Sequence, residues 1–384
     1  MSVTVAKGFV ASGVHCGIRK HDKLDLALVR SLVPATGAGM FTVNRVQAAP
    51  VVVSKEHLEL AQPQAIVANS GSANAATGAQ GLADARATAA EAAGTLGLEP
   101  EQVLVLSTGV IGQPLPMENV LAGVHAAADA LSADGAAAAE AILTTDTGTK
   151  LAVAHGPGFT VGGMAKGSGM IHPNLATMLA VVTTDYPLEP GEALEFLRPA
   201  VAASFNAISV DGECSTNDAV LLLANGTSGA ERDDEAFAAA LRAVCAELAR
   251  QIVVDGEGAT VLAEIAVRGA ASEVEARAIA ERVATSPLVK TALFGHDANW
   301  GRIASAAGSA KVDGGYAQLD PDKLTIVIDG VPVFVAGTPS GDEPTLTNGH
   351  CEIELELALG DGAATYLTTD LSYDYVRINA EYRS

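Results

Sequence analysis

One short stretch of the sequence, residues 166–184, combines residue types that can carry out chemistry. It begins with Lys166, passes through a loop with two glycines, and reaches a small residue, Ala176, followed directly by Thr177. Glycine allows backbone conformations that other residues resist. The residues after Thr177 are almost all apolar and partly β-branched, which predicts a buried strand. A hydroxyl is therefore predicted at the start of a core strand, directly after a glycine-containing loop.

Thr177 becomes a strong candidate nucleophile only if the bond that precedes it is cut. A threonine hydroxyl is a weak nucleophile unless a base removes its proton. After cleavage between Ala176 and Thr177, the new α-amine, whose reference pKa is about 7.7–8.0, can act as that base. The same hydroxyl can make the cut by attacking the Ala176 carbonyl, after which water hydrolyses the ester. On these local residues alone, an ordinary strand that begins with threonine is the favoured alternative.

A second candidate for chemistry is the pair Thr108 and Gly109, at the end of a predicted strand over residues 103–108. A threonine hydroxyl and a glycine N–H at a strand end can point at one spot, which is the arrangement that an oxyanion hole needs. A turn that uses glycine for its backbone geometry explains the same residues. The pair on its own leaves both interpretations open.

The elements around these residues are predicted from their hydrophobic patterns. We expect strands near residues 9–11, 26–29, 50–53, 65–69, 103–107, 178–182, 219–224 and 351–357, a hairpin over 324–334, and helices near 82–97, 118–131, 135–143, 194–201, 237–252 and 274–282. The last residues, 376–384, are expected to be a frayed tail on position alone. A chain of 384 residues permits two domains or one large α/β unit.

Composition excludes several classes of protein. Hydrophobic residues make up 49% of the chain and charged residues 18%, which is typical of a globular protein and not of a disordered one. A formal net charge of −22 without a Lys/Arg stripe argues against a nucleic-acid or anionic-membrane surface. The four cysteines are far apart, no apolar run predicts a membrane span, and the N-terminus lacks a signal-peptide layout. We therefore expect a reduced, cytoplasmic enzyme without a metal site or a disulfide framework.

Residues 166–179 resemble the cleavage segment of the ornithine acetyltransferase family, the bifunctional glutamate N-acetyltransferases. They read K-G-S-G-M-I-H-P-N-L-A-T-M-L, and the family pattern is K-G-x-G-M-I-x-P-N-x-A-T-M-L. Residues 69–78, 211–218 and 294–302 resemble further family motifs in the same order. The resemblance implies self-cleavage between Ala176 and Thr177, with Thr177 as the nucleophile.

The same resemblance implies roles for residues elsewhere in the chain. Thr108 and Gly109 match the oxyanion hole of the family. A carboxylate at Glu257 can receive an ammonium group of ornithine, and the charge of Lys166 suits a substrate carboxylate. The implied substrate contacts are Thr144, Lys166, Thr177, Glu257, Asn379 and Ser384.

Two other polar segments are expected to be structural. Residues 211–218 are acidic and could bind a divalent cation, but we favour a hydrogen-bonded structural corner. Residues 294–302 contain His296 and Asp297, which suggest a catalytic dyad, yet adjacent residues seldom point at one site. We predict a packed turn there.

The resemblance implies a layered α/β sandwich of the ornithine acetyltransferase and self-cleaving aminopeptidase type. Cleavage would divide the chain into an α fragment, residues 1–176, and a β fragment, residues 177–384, assembled as an α2β2 heterotetramer. The implied reaction moves an acetyl group from N-acetylornithine to glutamate through an acetyl-threonine, in a ping-pong sequence within arginine biosynthesis. No cofactor is implied, and whether acetyl-CoA is a second acetyl donor stays open.

Three alternatives to this function remain. The first is a self-cleaving amidase or aminopeptidase that releases its acyl group to water. The second is a ligand-binding module that keeps the fold but does not cleave itself. The third is an acetyltransferase paralogue of secondary metabolism, because Glu213, Cys214 and Val261 depart from the family pattern.

Overall fold

The computed structural model describes residues 3–19, 22–172, 178–347 and 349–381. Its contacts divide the chain into two compact units. The first unit contains the described residues of 3–206 and 213–252, and the second contains those of 207–212 and 253–381. These units come from packing, and their borders differ from the fragment border predicted at residues 176 and 177.

The strands of the described ranges are β1 (Phe9–Val14), β2 (Leu26–Ser31), β3 (Thr36–Phe41), β4 (Ala65–Ser72), β5 (Val103–Val110), β6 (Lys150–Gly156), β7 (Phe159–Lys166), β8 (Leu179–Thr184), β9 (Ile208–Ser209), β10 (Ala219–Ala224), β11 (Val261–Ala270), β12 (Lys311–Val312), β13 (Gly315–Tyr316), β14 (Thr325–Ile328), β15 (Val331–Val335), β16 (Thr338–Pro339), β17 (Gly349–Glu356) and β18 (Gly362–Thr369). The helices there are α1 (Ala49–Leu60), α2 (Gly78–Leu96), α3 (Met117–Asp129), α4 (Ala136–Ala141), α5 (Ala193–Ala202), α6 (Asp234–Val254), α7 (Glu273–Ala284), α8 (Pro287–Phe294), α9 (Trp300–Ala307) and α10 (Tyr373–Glu381).

Two sheets form the centre of the first unit. Their strand orders are β1-β2-β4-β5 and β3-β10-β8-β7-β6. Successive side chains of a strand point to opposite faces. In β2, Ala27 and Val29 share a core with Leu179 and Val181 of the other sheet, whereas Leu28 packs with α2 and α3. The two sheets therefore pack face to face.

Helices cover the outer faces of both sheets. Helices α1, α2 and α3 contact the first sheet, while α5 packs on β3 and β10 of the second. A Cβ added to Gly163 of β7 would lie 2.9 Å from Leu248 and 3.0 Å from Val244, which shows how closely α6 approaches that sheet. The unit is thus a four-layer α-β-β-α sandwich, and the predicted layered α/β fold is confirmed.

The strand predicted over residues 50–53 is wrong, because these residues lie in helix α1. Pro50 occupies the first turn of the helix, where its missing N–H costs nothing. One helical face is held on β5: Ser54 Oγ donates to Val105 O at 2.7 Å, and His57 Nδ1 lies 2.8 Å from Val103 O. These tertiary contacts outweigh the strand preference of the valines.

The second unit contains a seven-stranded sheet with the order β16-β15-β14-β17-β11-β18-β9. Helices α7, α8 and α9 cover a core that includes Ile265, Ile279 and Leu355. Each such fully buried side chain contributes about 1.5–3 kcal/mol to folding. The predicted hairpin is confirmed, and its turn residues Asp329 and Gly330 have φ of 46° and 77°.

The frayed tail expected from position 376 onward is wrong over its described part, because residues up to 381 belong to helix α10. None of the residues of α10 is buried. No helix in the described ranges is long and apolar enough to span a membrane.

Candidate active site

The predicted oxyanion pair lies where β5 runs beside β4. Thr108 is buried and pairs with Ser70, and Gly109 pairs with Gly71, where the register shifts. The φ of Gly109 is 133°, and an added Cβ would lie 2.4 Å from the carbonyl carbon of Gly71. Only glycine fits this position without displacing the β4 backbone. The strand continues to Val110, slightly beyond the predicted end.

Lys166, at the end of β7, reaches the same place. Its side chain is buried, and Nζ donates to Thr108 Oγ1 at 3.5 Å. An ammonium group has no acceptor, so the Thr108 oxygen accepts and its own hydrogen remains to be donated. The structure thus brings together two residues that the sequence analysis assigned to separate roles. A negative charge that develops beside Thr108 would meet both the hydroxyl hydrogen and the Lys166 cation.

Asp146 connects this lysine to the loop that follows it. The carboxylate is fully buried and lies 3.9 Å from Lys166 Nζ. Its Oδ1 accepts hydrogen bonds from Lys150 Nζ at 2.7 Å and from Gly167 N at 2.6 Å, and its Oδ2 accepts from Thr144 N at 2.9 Å. Burial alone would raise the pKa of Asp146, but Lys166, Lys150 and these hydrogen bonds hold it well below its ordinary value. Asp146 is therefore a buried anion that anchors two lysines and the start of the cleavage segment.

Thr144 was predicted to be a substrate contact. Its N–H and hydroxyl both donate to Asp146 Oδ2, and its carbonyl accepts from Arg19 Nη2 at 3.3 Å. These bonds give Thr144 a place in the Asp146 network. A contact with substrate remains a prediction.

Asp218 is a second buried carboxylate, at the start of β10. Its Oδ1 accepts from Met178 N at 2.9 Å, just before the parallel pairing of β10 with β8 begins. Its Oδ2 is buried and has no hydrogen-bond partner in the described part of the chain. Burial raises the pKa of Asp218 well above its ordinary value, although the Met178 N–H, the charge of Lys166 and the nearby Ser215 and Thr42 hydroxyls act in the opposite direction. Such an unpaired oxygen is costly unless a donor meets it.

The predicted site residues Ala176, Thr177 and Ser384 lie outside the described residues. Met178, the residue after Thr177, is described and buried. The Met178–Asp218 hydrogen bond is therefore a described side-chain contact of the residue next to the predicted nucleophile.

The acidic segment 211–218 forms the predicted hydrogen-bonded corner. Asn217 Nδ2 donates to Ala73 O at 2.6 Å and to Ser107 O at 2.8 Å, which ties β10 to the ends of β4 and β5. Thr42 Oγ1 also donates to Ser215 O at 2.7 Å. Among residues with a described structure, no group of three or more His, Cys, Asp or Glu side chains is arranged to hold a metal ion.

Glu257 and Asn379, both predicted to contact substrate, belong to the second unit and contact each other. Asn379 Nδ2 donates to Glu257 Oε2 at 2.8 Å and to Tyr375 O at 3.1 Å. Glu257 lies in the loop before β11, and Asn379 lies on α10. The pair thus joins two segments that are 122 residues apart in sequence.

The turn over residues 294–302 is held by hydrogen bonds and one ring contact, but none of its residues is fully buried, so the predicted packing is only partial. Asn299 caps α9 by accepting from Arg302 N at 3.1 Å, and its Nδ2 donates to Asp297 Oδ2 at 2.9 Å. The Trp300 ring stacks on Phe334 with a centroid distance of 4.8 Å. A catalytic dyad is not needed to explain these residues.

Three residues that organise the site were given no role by the sequence predictions: Asp146, Lys150 and Asp218. The Asp146–Lys150 ion pair lies outside a helix, so the helical i,i+4 spacing rule did not predict it. The involvement of Asp218 depends on the pairing of β8 with β10, which the local pattern does not show.

Comparison with known proteins places the chain among relatives of one family. The model of the ArgJ family matches residues 10–384. The arginine biosynthesis bifunctional protein ArgJ of Symbiobacterium thermophilum is 48% identical over 400 aligned residues, which cover 100% of this chain and 98% of that protein. The protein of the same name from Streptomyces coelicolor is 46% identical, with 100% of both chains covered.

Among solved structures, the ornithine acetyltransferase of Mycobacterium tuberculosis in complex with ornithine is 43% identical, over 46% of this chain and 96% of that chain, with a TM-score of 0.44. The arginine biosynthesis bifunctional protein of Bacillus halodurans is 42% identical, over 45% of this chain and 94% of that chain, with a TM-score of 0.41. The sequence matches extend over almost the entire chain and confirm the predicted family. The chain belongs to the ArgJ family.

Proposed function

We propose that this protein is an acyltransferase of arginine biosynthesis that transfers an acetyl group from N-acetylornithine to glutamate. Family membership supports the reaction class. The observation that carries the assignment of the site is the buried contact between Lys166 and Thr108, beside the N–H of Gly109. This arrangement supplies donors for the oxyanion that forms during acyl transfer.

The proposed first step is cleavage of the chain by its own threonine. The Thr177 hydroxyl attacks the Ala176 carbonyl carbon, and the C–N bond between the two residues breaks. The nitrogen that leaves takes up a proton and becomes the α-amine of Thr177. Water then hydrolyses the ester, which leaves Ala176 as a carboxylate and restores the hydroxyl. The products are the fragments 1–176 and 177–384.

Acetyl transfer uses the same hydroxyl. Thr177 Oγ attacks the acetyl carbonyl of N-acetylornithine while the α-amine accepts the hydroxyl proton. The Thr108 hydroxyl and the Gly109 N–H stabilise the tetrahedral oxyanion, a contribution of about 2.7–4 kcal/mol for each donor. The C–N bond to ornithine breaks, and ornithine leaves with the proton. The amine of glutamate then attacks the acetyl-threonine in a second step of the same kind.

Asp218 is suited to stabilise the α-ammonium group that forms when the amine takes this proton. Its Oδ1 already holds the N–H of the next residue, Met178, and its buried Oδ2 has no partner within the described ranges. Burial raises the pKa of Asp218 and so favours its neutral form, but an α-ammonium group next to it would favour the ionised carboxylate. We assign Asp218 this role in addition to the residues that the family pattern implies.

Substrate recognition in this proposal rests on complementary charge. Glu257 takes the side-chain ammonium of N-acetylornithine, and Lys166 suits a substrate carboxylate. Asn379, whose amide holds the Glu257 carboxylate, shares this role, and we keep Thr144, Thr177 and Ser384 as further contacts.

The proposed mechanism needs no cofactor, and the protein's own two fragments are its proposed partners. We propose that the fragments assemble as an α2β2 heterotetramer in the cytoplasm. Adding acetyl-CoA and glutamate without N-acetylornithine tests whether acetyl-CoA is a second donor.

Intact-mass analysis of the wild type and of Thr177→Ala tests the proposal. We expect two fragments that meet at residues 176 and 177 in the wild type, and one uncut, inactive chain in the variant. Assays with N-acetylornithine, with and without glutamate, separate transfer from hydrolysis. A continuous wild-type chain that is fully active, or acetyl release that glutamate does not affect, would contradict the proposal.

A further inference from the structure

Lys290 is a buried lysine that the proposed mechanism does not use. It lies on α8 and is 4% exposed. Its Nζ donates to Thr368 Oγ1 at 3.0 Å, to Thr369 Oγ1 at 3.1 Å and, over a short distance, to the carbonyl oxygen of Thr369. An ammonium group has three N–H donors, and all three are directed at the end of β18.

The direction of these hydrogen bonds is set by the neighbouring groups. Thr368 Oγ1 donates its own hydrogen to Ala284 O at 2.8 Å, and Thr369 Oγ1 donates to Asp370 O at 3.0 Å. Both hydroxyl oxygens are therefore left to accept from Lys290. The backbone adds a further link, because Leu371 N donates to Lys290 O at 3.1 Å.

The segment that Lys290 holds is the junction between β18 and α10, and this junction holds the loop of Glu257. Asp370 Oδ1 accepts from Thr260 N at 2.8 Å and from Val261 N at 3.0 Å. Ser372 Oγ donates to Gly258 O at 2.6 Å. An added Cβ on Gly258, whose φ is 67°, would lie 2.5 Å from Tyr375 N, so the loop and the start of α10 are in close contact.

The same junction sets where Asn379 lies. Helix α10 begins at Tyr373, directly after Ser372, and Tyr375 N donates to Ser372 Oγ at 3.2 Å. Two turns further along, Asn379 donates to Glu257. Both members of the Glu257–Asn379 pair are thus held through Asp370 and Ser372, which lie next in the chain to the residues that Lys290 binds.

We propose that Lys290 is a positioning residue for the substrate-binding pair Glu257 and Asn379. It acts by holding the junction over residues 368–372, which sets the loop of Glu257 and the start of α10. The inference rests on the proposed function, in which this pair binds N-acetylornithine. It predicts that loss of the Lys290 amine weakens substrate binding more than it slows the chemical step.

The charge of Lys290 offers an independent readout. Burial lowers the pKa of Lys290 to about 7, although the charges of Asp211 and Asp370 act in the opposite direction. Helix α7, which packs against β18, carries Glu281 and Arg277, which interact with each other. Below pH 7 the amine has three donors, and above it the neutral amine has two. The KM for N-acetylornithine should therefore rise as the pH increases through 7.

Steady-state kinetics of Lys290→Met test this proposal on the self-cleaved enzyme. We expect the KM for N-acetylornithine to rise about tenfold or more, with kcat changed by about threefold at most, because three hydrogen bonds to a charged group are lost. The rise of KM above pH 7 should disappear in the variant. Val283→Ala, which opens a cavity in the same core, is the matched control and should change stability but not KM.

Thr369→Val provides a second variant in case Lys290→Met does not fold, because it removes one acceptor and keeps the lysine. Its expected effect is a smaller rise in KM with the same split between KM and kcat. An unchanged KM in either variant that transfers acetyl, or an equal rise in the Val283→Ala control, would overturn the inference. A wild-type enzyme without acetyl transfer would instead overturn the proposed function, so the two failures are distinguishable.

Discussion

Replacing Asp146 by asparagine removes one negative charge from the centre of the site and keeps the shape of the side chain. The carboxylate accepts from Lys150 Nζ and Gly167 N on one oxygen and from Thr144 N on the other. An amide has one acceptor oxygen, and its NH₂ group must face donors on the other side. Whichever way the amide is turned, at least one of these hydrogen bonds is replaced by a contact between two donors.

The expected loss of stability follows from the burial of the charges. The side chains of Lys150 and Lys166 are 3% and 2% exposed, so water cannot replace the lost carboxylate. Removing one partner of a buried ion pair typically costs about 3–5 kcal/mol of the free energy of unfolding. For a unit of this size, that loss corresponds to a decrease in Tm of roughly 10 °C. Self-cleavage should also slow, because Lys166 and Gly167 lose their common anchor.

The pH dependence of this effect has a definite sign. Because the folded state holds the pKa of Asp146 well below its ordinary value, the stabilisation is complete above the ordinary aspartate pKa of about 4 and is lost as the pH falls towards the folded pKa. The wild type should therefore lose stability in acid more steeply than Asp146→Asn does. The difference in Tm between the two proteins should narrow below pH 4.

Calorimetry of the uncleaved and cleaved proteins, with intact-mass measurement of the cleavage rate, checks this prediction. Asp185→Asn is a matched control, because Asp185 is also buried, and its partners in the described part of the chain are the backbone N–H groups of Lys7 at 3.0 Å and Thr160 at 2.7 Å. It should lower Tm without slowing cleavage. If Asp146→Asn melts within about 2 °C of the wild type, a shift worth only about 1 kcal/mol, and cleaves at the same rate, the carboxylate does not anchor the two lysines.

Two further predictions concern the reacting atoms. Gly109→Ala should lower kcat by about 10²–10³-fold, because its Cβ would displace the N–H proposed for the oxyanion hole. The control is Gly112→Ala, because Gly112 has a φ of 80° and open space around it. Equal activity of the two variants would argue against the assignment. Asp218→Asn should lower kcat by about 10²-fold and shift the pH profile of acetyl-enzyme formation, because the α-ammonium would lose its counter-charge. Mass spectrometry of the acetylated β fragment measures this, and a profile identical to that of the wild type would exclude the role.

Much of the fold could be predicted because the strands and helices concerned carry a strong local pattern. The apolar spacing of α6 and the alternation in β17 each have a buried face that matches their period. The strand predicted at the valines of α1 and the frayed tail predicted at α10 were wrong. In α1 the deciding contacts are made by Ser54 and His57 with a strand about fifty residues away, so the local preference for a strand is overridden.

The site could be predicted only in part, for a similar reason. The Ala176–Thr177 pair and the Thr108–Gly109 pair became candidates through the family resemblance, because their residue types alone left an ordinary strand and a glycine turn open. The partners of Lys166 were not recognisable, since they come from other segments of the chain. Asp146 lies 20 residues before Lys166, and the contact depends on how β6 and β7 pair.

The pairing of β6 with β7 explains why a negative charge is needed at Asp146. The antiparallel register places Lys150 opposite Ala165, the neighbour of Lys166, so the first residue of β6 and the last residue of β7 bring two buried lysines to one end of the sheet. Two buried cations side by side are unfavourable without an anion between them. Asp146 supplies that anion, and one carboxylate leaves this group of three with a net charge of +1. This group is therefore locally positive in a protein whose formal net charge is −22. Its Lys166 Nζ lies 3.5 Å from Thr108 Oγ1, where the oxyanion of acyl transfer is proposed to form.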